Sequence, residues 1–408
     1  MVASSDKINA FIIHNSSLII IFLSSLYFHI PYCEHKCVYC DFYSIENMTS
    51  MDRFLASLEL EIVRRAEEFS SKEPVETIFF GGGTPSLLSS AQFEKIFSLI
   101  AKNFRVEQDA EITCESNPGT VEQNKLREFR SVGFNRVSFG IQSFYDDDLK
   151  FLTRIHSAEE AERAVENARR AGFDNINVDL IFALPKQTPG RWKENLRRAI
   201  ALQPDHISAY ALIVEEETPL ATMVKNKLVA PLPSEEDAEL YEITIDTLTS
   251  HGYAQYEVSN FAQPGRECRH NINYWNHSNY IGFGPSAHSF WKDSETTGRR
   301  WWNVRSIQSY RDMLSRGGYP LTGSEEIDRL KFFHEEIFLG LRSTGIDTAK
   351  LLRLYGTESL QSSEGWIKTM EQEGLLHRQN SAISLTSKGY AICDEIAGKL
   401  IGEAFPGV

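Results

Sequence analysis

The sequence lacks the basic surplus of a nucleic-acid-binding protein and the long apolar run of a membrane protein. Of its 408 residues, 42 are basic and 56 are acidic, so the net charge is −14. This balance argues against a broad phosphate-binding surface, and we expect no nucleic-acid partner. At 42% hydrophobic and 24% charged residues, the composition is that of a soluble globular protein with enough apolar material for a large core.

Cysteine is also scarce, and its distribution is uneven. Of the six cysteines, three fall within eight residues and three are scattered: Cys33, Cys37 and Cys40, against Cys114, Cys268 and Cys393. In a chain of this size, that pattern is not a disulfide framework. A thiolate–metal site in a reducing compartment fits better, and we therefore expect a cytoplasmic protein.

The first 26 residues are poorly patterned. The apolar run Leu18–Leu26 is far shorter than the roughly 20 residues that a membrane span needs. Upstream, Lys7 lies beside Asp6, so the positive region of a signal peptide is missing, as is the arginine enrichment of a transit peptide. We predict an extended first strand at 18–30 behind a loose leader, and no stable membrane span. A membrane or export role is the alternative.

From about residue 75 to residue 214, short β-rich runs alternate with helical runs whose apolar residues recur at three-and-four spacing. The strands predicted after the first one are Glu76–Phe80, Ala110–Glu115, Arg136–Ile141, Asn175–Phe182 and His206–Val214. Strands separated by helices imply parallel pairing with right-handed crossovers. The predicted fold class is therefore α/β, with six β/α units.

Glycine, proline and polar residues follow the predicted strands. These segments are the cysteine loop, Gly81–Pro85, Ser116–Thr120, Gln142-Ser143 and Ala183–Pro185. Any one of them could be an ordinary turn. Barrel-type folds keep their active sites at the carboxyl ends of parallel strands, so five such loops in register predict a shared site.

Beyond about residue 255 the pattern changes. Residues 256–310 are rich in Asn, Tyr, Trp, His and Gly, and we predict an irregular segment there. An amphipathic helix begins near Glu325, and helices near Thr348–Tyr355 and Ser363–Glu373 precede a hairpin-like stretch at Leu375–Leu385. The predicted division is a leader at 1–26, a core domain at 27–255, the irregular segment, and an α-rich C-terminal domain at 311–408. A winged-helix type is one option for that last domain.

The Cys33-x-x-x-Cys37-x-x-Cys40 loop is the clearest chemical feature of the sequence. Three thiolates in one short loop can wrap a compact inorganic core, and cysteine thiolates are the usual ligands of iron–sulfur clusters. Zinc is the rival, because it prefers closed sites with four ligands. The fourth ligand would then be His29, His35 or a distant cysteine.

This spacing after the first strand, with Gly81-Gly-Gly-Thr-Pro85 after the second, resembles the radical SAM superfamily over residues 27–255. The resemblance implies a partial (β/α)6 barrel with a [4Fe–4S] cluster on Cys33, Cys37 and Cys40. It also implies that the amino and carboxylate groups of S-adenosylmethionine (SAM) chelate the open iron. An electron from the cluster can then cleave the sulfonium to a 5′-deoxyadenosyl radical.

Candidate contacts to SAM follow from a closer resemblance. The stretches YFHIPYC, GGGTP, RVSFGIQSF, FLTR and NVDLIFALPKQTP resemble those of oxygen-independent coproporphyrinogen oxidases and their relatives. Taken singly, each candidate also has an ordinary structural explanation, such as a helix cap or a surface ion pair. The implied contacts are Tyr27, Tyr39, Gly82, Gly83, Thr84, Glu115, Gln142, Arg154 and Asp179.

Within that group the sequence departs from the oxidases, which carry CxxxCxxCxC. The residue two after Cys40 is Phe42, and Cys40-Asp-Phe-Tyr is similar instead to the HemW family of heme chaperones. A second stretch, Arg269-His270-Asn-Ile-Asn-Tyr274-Trp275, matches the HNxxYW pattern of the same family.

The second motif suggests a heme site. His270 offers an imidazole as axial iron ligand, and Cys268 is the alternative ligand. Tyr274 and Trp275 supply flat faces for a porphyrin. Arginine forks suit propionates, and Arg266 and Arg269 lie nearby in the sequence. The plainer explanation is that a histidine and two aromatic rings pack an irregular segment.

The resemblance therefore implies a heme chaperone that passes heme to unidentified acceptor hemoproteins and also carries one [4Fe–4S] cluster and SAM. A homodimer is compatible with this reading, and we assign no catalytic residue. The alternatives are an oxygen-independent coproporphyrinogen III oxidase and a radical SAM enzyme acting on another substrate.

Overall fold

The core of the molecule is a run of parallel strands that follow one another in chain order across a sheet. The computed structural model describes residues 24–69, 73–356, 360 and 362–404. Each neighbouring pair from β1 to β6 is parallel. The strands are β1 (Ser24–Ile30), β2 (Val75–Gly82), β3 (Val106–Ser116), β4 (Arg136–Gln142), β5 (Ile176–Phe182) and β6 (His206–Ala211).

Helices connect these strands, and two more follow β6, so the predicted β/α alternation and the α/β class are confirmed. They are α1 (Met51–Phe69), α2 (Ser90–Asn103), α3 (Gln123–Val132), α4 (Asp146–Phe151), α5 (Ala158–Arg170), α6 (Pro189–Ala201), α7 (Pro219–Lys225) and α8 (Ser234–Ser250). Capping boxes begin α2 at Ser89 and α5 at Ser157, because each serine is followed three residues later by Gln or Glu. The leader at 1–26 lies outside the described residues, apart from Ser24–Leu26 in β1.

The two faces of the parallel strands differ in chemistry, because side chains alternate along a strand. The outer face is apolar and packs on the helices: Phe28 stacks on Phe80 with ring centroids 4.7 Å apart, and Phe80 meets Phe93 of α2 at 5.2 Å. The inner face of β4 and β5 is polar. Ser138 donates a hydrogen bond to Asp179 (3.0 Å), and the Asn177 amide donates to Ser138 (2.7 Å). The parallel strands thus enclose a polar chamber.

Residues 256–310 are not irregular, and that prediction is wrong. In the described ranges the sheet runs β12-β11-β10-β9-β1-β2-β3-β4-β5-β6-β8-β7. Strand β9 continues the parallel set beside β1, whereas β10, β11 and β12 are antiparallel. The added elements are β7 (Ala254–Gln255), β8 (Asn260–Ala262), α9 (Arg269–Trp275), β9 (Asn279–Phe283), β10 (His288–Lys292), β11 (Gly298–Asn303), α10 (Ile307–Ser315) and β12 (Leu321–Ile327).

We call β9 to β12 the extension. A buried carboxylate ties it to the helical layer of the barrel. Glu61 on α1 accepts hydrogen bonds from Gly284 N (2.8 Å), the Tyr310 hydroxyl (2.7 Å) and the Asn303 amide (2.7 Å). Three buried donors to one carboxyl group fix the positions of the segments that contribute them, which are the end of β9, β11 and α10.

The C-terminal part is rich in helices, as predicted. It contains α11 (Arg329–Leu341), α12 (Thr348–Tyr355), α13 (Glu364–Gln372), α14 (Ser387–Tyr390) and α15 (Cys393–Ala404). A small antiparallel sheet accompanies them in the order β13 (Ile346–Asp347), β15 (Ala382–Leu385), β14 (Leu376–Gln379). The winged-helix assignment stays a prediction. Of the helices in the described ranges, none combines the length and apolar character needed to cross a bilayer.

Candidate cofactor site

The cysteine loop and the glycine loop lie next to each other at one edge of the sheet. They follow β1 and β2, which are parallel neighbours, so their carboxyl ends meet. Glu115 stands near the end of β3, and Gln142 ends β4. Asp179 lies on β5 and faces the polar chamber through its bonds to Ser138 and Asn177.

The backbone of the cysteine loop is held by hydrogen bonds, and two of its sulfurs have donors. Cys33 N donates to Ile45 O (3.1 Å), and Cys40 N donates to Cys37 O (3.2 Å). The Thr84 hydroxyl donates to Cys33 Sγ (3.5 Å), and Arg154 Nη1 donates to Cys37 Sγ (3.4 Å). These donors stabilise thiolates, which are the form of cysteine that ligates iron.

Burial acts against that ionisation in the free thiols. It raises the pKa of Cys33, and it raises the pKa of Cys40 to about 11. Bound metal reverses such a shift, because a coordinated thiol is deprotonated. Among the described residues, no three Cys, His, Asp or Glu side chains lie close enough together to ligate a single metal ion. Three thiols in one loop, two of them with donors to sulfur, fit an iron–sulfur cluster.

The glycine loop packs against the backbone around the cysteine loop. Gly83 N donates to Ile30 O (2.9 Å), and Thr84 N donates to Tyr32 O (2.7 Å). A Cβ atom on Gly83 would lie 2.7 Å from Ile30 O and 2.6 Å from Tyr32 O. Gly82 has φ +100°, a conformation that favours glycine. The close approach of the Gly83 backbone to Ile30 and Tyr32 is thus one reason for glycine at this position. Access for a ligand is the other.

Two carboxylates face the chamber behind the glycine loop. Gly82 N donates to Glu115 Oε2 (3.2 Å). Burial, together with the nearby Asp179 carboxylate, raises the pKa of Glu115 to about 8. Burial also raises the pKa of Asp179. An ammonium group or hydroxyl donors would favour the ionised forms, so the pair fits a cationic ligand that carries hydroxyls.

Gln142 and Arg154 lie together over Gly140. A Cβ atom on Gly140 would come within 2.9 Å of Gln142 Nε2 and 3.3 Å of Arg154 Nη2. Gln142 has φ 68°, an uncommon value for a residue with a side chain. Arg154 donates through Nη2 to Gly140 O (2.7 Å) and through Nη1 to Cys37, while its buried Nε has no hydrogen-bond partner among the described residues.

The two candidate tyrosines have different surroundings: Tyr27 lies on β1, and Tyr39 lies within the cysteine loop. Tyr27 on β1 stacks on Phe79 (centroids 6.3 Å apart), and its hydroxyl hydrogen-bonds His29 Nδ1 (3.3 Å). Tyr39 packs against the apolar group that includes Leu152 and Ile181. The structure thus brings the cluster and SAM candidates to one end of the parallel strands.

The HNxxYW motif forms the short helix α9, and its histidine is buried. His270 is 1% exposed, and both ring nitrogens are hydrogen-bonded: Nδ1 to the Thr77 hydroxyl (2.7 Å) and Nε2 to the Tyr274 hydroxyl (2.9 Å). Burial and the buried Arg136 lower its pKa to about 3. The imidazole is therefore neutral, but binding iron through it would require breaking one of these contacts.

The other candidates in this motif are also engaged. Cys268 is fully buried, and its thiol donates to Glu111 (3.5 Å). Arg269 pairs with Glu76 (2.8 Å). Trp275 and Tyr274 are half-buried. Of these motif residues in the described chain, Tyr274 lines a cavity beside the cysteine loop.

That cavity has a volume of about 490 Å³ and lies between the cysteine loop and the extension. Several of its wall residues were not anticipated from the sequence, because they lie in the stretch predicted to be irregular and form no recognisable motif. The residues missed are His277, Tyr280, Ser286, His288, Phe290, Arg300 and Arg305. A larger, more open groove of about 650 Å³ runs past Arg154 and His156.

Comparison with known proteins agrees with this arrangement. The Radical SAM superfamily matches residues 27–199, and the HemN C-terminal domain matches residues 327–392. The heme chaperone HemW of Bacillus subtilis is 36% identical over 386 residues, which cover 93% of this chain and 100% of that protein. The heme chaperone HemW of Lactococcus lactis is 34% identical and covers 93% of this chain and 97% of its own length.

A solved structure shares the fold over nearly the whole chain. It is the coproporphyrinogen III oxidase HemN from Escherichia coli, described as a radical SAM enzyme. The TM-score is 0.80 at 25% sequence identity, and the match covers 93% of this chain and 90% of that one. The radical SAM fold is therefore confirmed, with a mixed sheet and a helical C-terminal part.

Proposed function

Because the chain belongs to the HemW family of radical SAM proteins, we propose that it is a heme chaperone, which binds heme and passes it to acceptor hemoproteins. The observation that carries this proposal is 36% identity to a heme chaperone over that protein's entire length. The Cys40-Asp-Phe42 sequence supports it from the residues themselves.

We further propose that Cys33, Cys37 and Cys40 hold one [4Fe–4S] cluster. When bound, such a cluster supplies one-electron chemistry. The protein's part is to stabilise the thiolates through the Thr84 hydroxyl and the Arg154 guanidinium. The Arg154 charge also offsets the negative charge of the ligand set.

For SAM we propose the chamber in front of Glu115 and Asp179. Their buried carboxylates would accept hydrogen bonds from ammonium or ribose hydroxyl groups, since both have raised pKa values that such donors lower. The Gly82–Thr84 backbone, Gln142, Tyr27 and Tyr39 complete the proposed contacts. SAM should therefore perturb the EPR spectrum of the reduced cluster, and an unchanged spectrum at saturating SAM, with no measurable binding, would remove this part of the proposal.

Coproporphyrinogen oxidation is the second candidate, because the HemN structure matches over 93% of the chain. At the position where those oxidases carry a further cysteine, this chain has Phe42, a 64% exposed side chain on the cavity wall. A phenyl ring can neither ligate iron nor exchange a proton. We therefore propose that the chain does not convert coproporphyrinogen III to protoporphyrinogen IX.

One preparation can test both functions. After anaerobic reconstitution of the cluster, heme binding is measured by titration, and coproporphyrinogen III turnover is assayed with SAM and a reductant. We expect heme at about one per chain and no protoporphyrinogen IX. Transfer is followed by adding apomyoglobin as a heme trap. Sustained decarboxylation without heme binding would reverse the order of the two functions.

The compartment and assembly are part of the proposal. Free thiols and a cluster loop suit a reducing compartment, so we propose a cytoplasmic protein. We also propose a homodimer, which sedimentation of the purified chain with and without heme can check against a monomer mass of 46.4 kDa.

A further inference from the structure

The cavity beside the extension has the lining that a tetrapyrrole dicarboxylate needs. Its volume of about 490 Å³ lies within the range of about 300–1,000 Å³ usual for small-molecule and cofactor sites. Aromatic rings form much of its wall, from Phe42 and Tyr43 on one side to Tyr280 and Phe290 on the other. Flat aromatic faces suit a planar macrocycle.

Two arginines line the same cavity. Arg305 Nη2 donates to Asp41 O (2.8 Å) and Asp41 Oδ1 (3.3 Å), and its side chain is half exposed. Arg300 pairs with Glu335 (2.7 Å). A guanidinium has five donors, so each of them retains N–H groups for a further carboxylate. Asp41 is the acidic member of the lining, and Glu335 and Glu325 meet Arg300 from outside it, so each guanidinium already has a carboxylate partner.

Three histidines line the cavity, and they differ in access. His29 Nε2 is hydrogen-bonded to Tyr43 O (2.8 Å), and the buried His277 has its Nε2 2.9 Å from a Glu335 carboxylate oxygen. His288 is exposed and stacks on Trp302, with centroids 5.8 Å apart and planes 20° apart. Burial and the charges of Arg300 and Arg305 lower the pKa of His288, so its imidazole is neutral near pH 7. A neutral imidazole is the form that binds iron.

We infer that heme binds in this cavity, with His288 as the axial iron ligand, Arg300 and Arg305 at the propionates, and Tyr274 in the wall. The inference rests on the proposed heme-binding function and names its site. It changes the role of His270. Because His270 Nε2 holds the Tyr274 hydroxyl, His270 is a positioning residue that shapes the wall without touching iron.

The site also adjoins the cluster loop. Asp41, Phe42 and Tyr43 follow Cys40 directly and form the cavity wall on that side. Tyr27, a candidate SAM contact, lies at the same boundary. Heme in the cavity would thus contact the loop that carries the cluster.

The test uses the full chain with its reconstituted cluster and hemin as the probe. Hemin titrations follow the Soret band, and resonance Raman identifies the axial ligand in wild type, His288→Ala, His270→Ala and His251→Ala. His251 is an exposed histidine at the end of α8, outside the cavity, and serves as the matched control. Iron and sulfide content is measured for each variant.

We expect His288→Ala to weaken hemin binding at least about tenfold and to remove the imidazole signature, with unchanged iron and sulfide content. Added imidazole should restore the signature, because it can occupy the space of the missing side chain. His270→Ala should weaken binding but keep the imidazole signature, and His251→Ala should resemble wild type.

Two results would overturn the inference and leave the proposed function standing. One is wild-type hemin binding and spectrum in His288→Ala. The other is loss of the imidazole signature in His270→Ala but not in His288→Ala. Failure of the wild-type chain to bind hemin would instead remove the proposed function, and this inference with it.

Discussion

The parallel strands and the extension assemble their sites in different ways. At the ends of β1 to β4, the side chains come from short segments directly after or within a strand, such as the cysteine loop and Gly81–Pro85. In the extension, antiparallel register places the wall residues Phe290 and Tyr280 opposite each other and sets His288 of the wall opposite Trp302. In a parallel sheet the carboxyl ends of neighbouring strands lie together, whatever the sequence that connects them. The register of antiparallel strands depends instead on turns and bulges.

The two regions nevertheless share a boundary. Tyr27 on β1 and Phe42 in the cysteine loop belong to the first region by sequence and line the cavity of the second. Variants confined to one side of this boundary should therefore separate cluster chemistry from heme binding. A variant that affects both equally would show that the two regions act as one site.

The largest effect is expected for Cys37→Ala. Loss of one of three thiolate ligands should abolish the broad visible absorption of the reconstituted [4Fe–4S] protein. Hemin binding should remain, because His288 and the arginines of the cavity are unchanged. Absorption spectra with iron and sulfide analysis provide the measurement.

Cys393→Ala is the control for that variant, since Cys393 is a buried cysteine on α15, away from the loop. It should keep a full cluster. Stoichiometric zinc without iron or sulfide in anaerobically prepared wild type would contradict the cluster assignment.

The next effect concerns how firmly the extension is attached. Glu61→Ala should lower the opening free energy of β9 to β11 by at least about 3 kcal/mol, because Gly284 N, Tyr310 and Asn303 lose a buried acceptor at about 1–3 kcal/mol each. Amide hydrogen exchange measures it, with β4 and β5 as the internal reference. Hemin affinity should fall more than cluster content.

Glu61→Gln keeps an acceptor oxygen in the same place and should cost less. Equal loss of protection in β9 to β11 and in β4 and β5 would contradict this prediction, because it would mean that the molecule opens as a whole.

A smaller, local effect is expected for Gly83→Ala. Its Cβ would lie within 3 Å of Ile30 O and Tyr32 O, which are backbone atoms and cannot move alone. Displacement of the glycine loop should weaken SAM binding by about tenfold or more, measured by calorimetry and by the EPR change of the reduced cluster. Gly190→Ala, on α6 with open space around it, should have no effect. SAM affinity equal to wild type in Gly83→Ala would show that the loop adapts.

Much of the first region could be predicted from the sequence, and the reason is physical. Strand residues such as Phe28 and Phe80 alternate with inward residues, and helices with regular apolar spacing separate the strands, so local periodicity suffices. The loops at the strand ends then follow from parallel pairing. The cysteine and glycine motifs predict a cofactor site because each residue type serves one purpose: cysteine supplies a thiolate ligand, and glycine allows close approach of the backbone.

The extension could not be predicted in this way. Strand β9 pairs with β1 across about 250 residues of sequence, as in Ser24 opposite Asn279, and no local pattern encodes such a partner. The sequence shows the HNxxYW motif, but the hydrogen bonds of its histidine to Thr77 and Tyr274 depend on the packing of distant segments. His288 belongs to none of the motifs described above, and only its place in the cavity makes it a candidate iron ligand.

The smallest effect is a shift in the pH dependence of hemin binding, and it tests the extension alone. Burial and the charges of Arg300 and Arg305 lower the pKa of His288 from its ordinary value near 6.5. A protonated imidazole cannot bind iron, so affinity should be highest at the alkaline end of the range, near pH 8. It should then fall as the pH drops through the lowered pKa. Arg305→Gln removes one of the two charges, so the pKa of His288 should rise toward 6.5 and the midpoint should move to higher pH by a fraction of a unit.

The lower overall affinity expected from a lost propionate partner is a separate readout and does not move the midpoint in this direction. Soret titrations from pH 8 to 5.5 measure both quantities, with His251→Ala as the control. A wild-type midpoint above 6.5, or one that Arg305→Gln moves downward, would show that a group other than His288 controls binding.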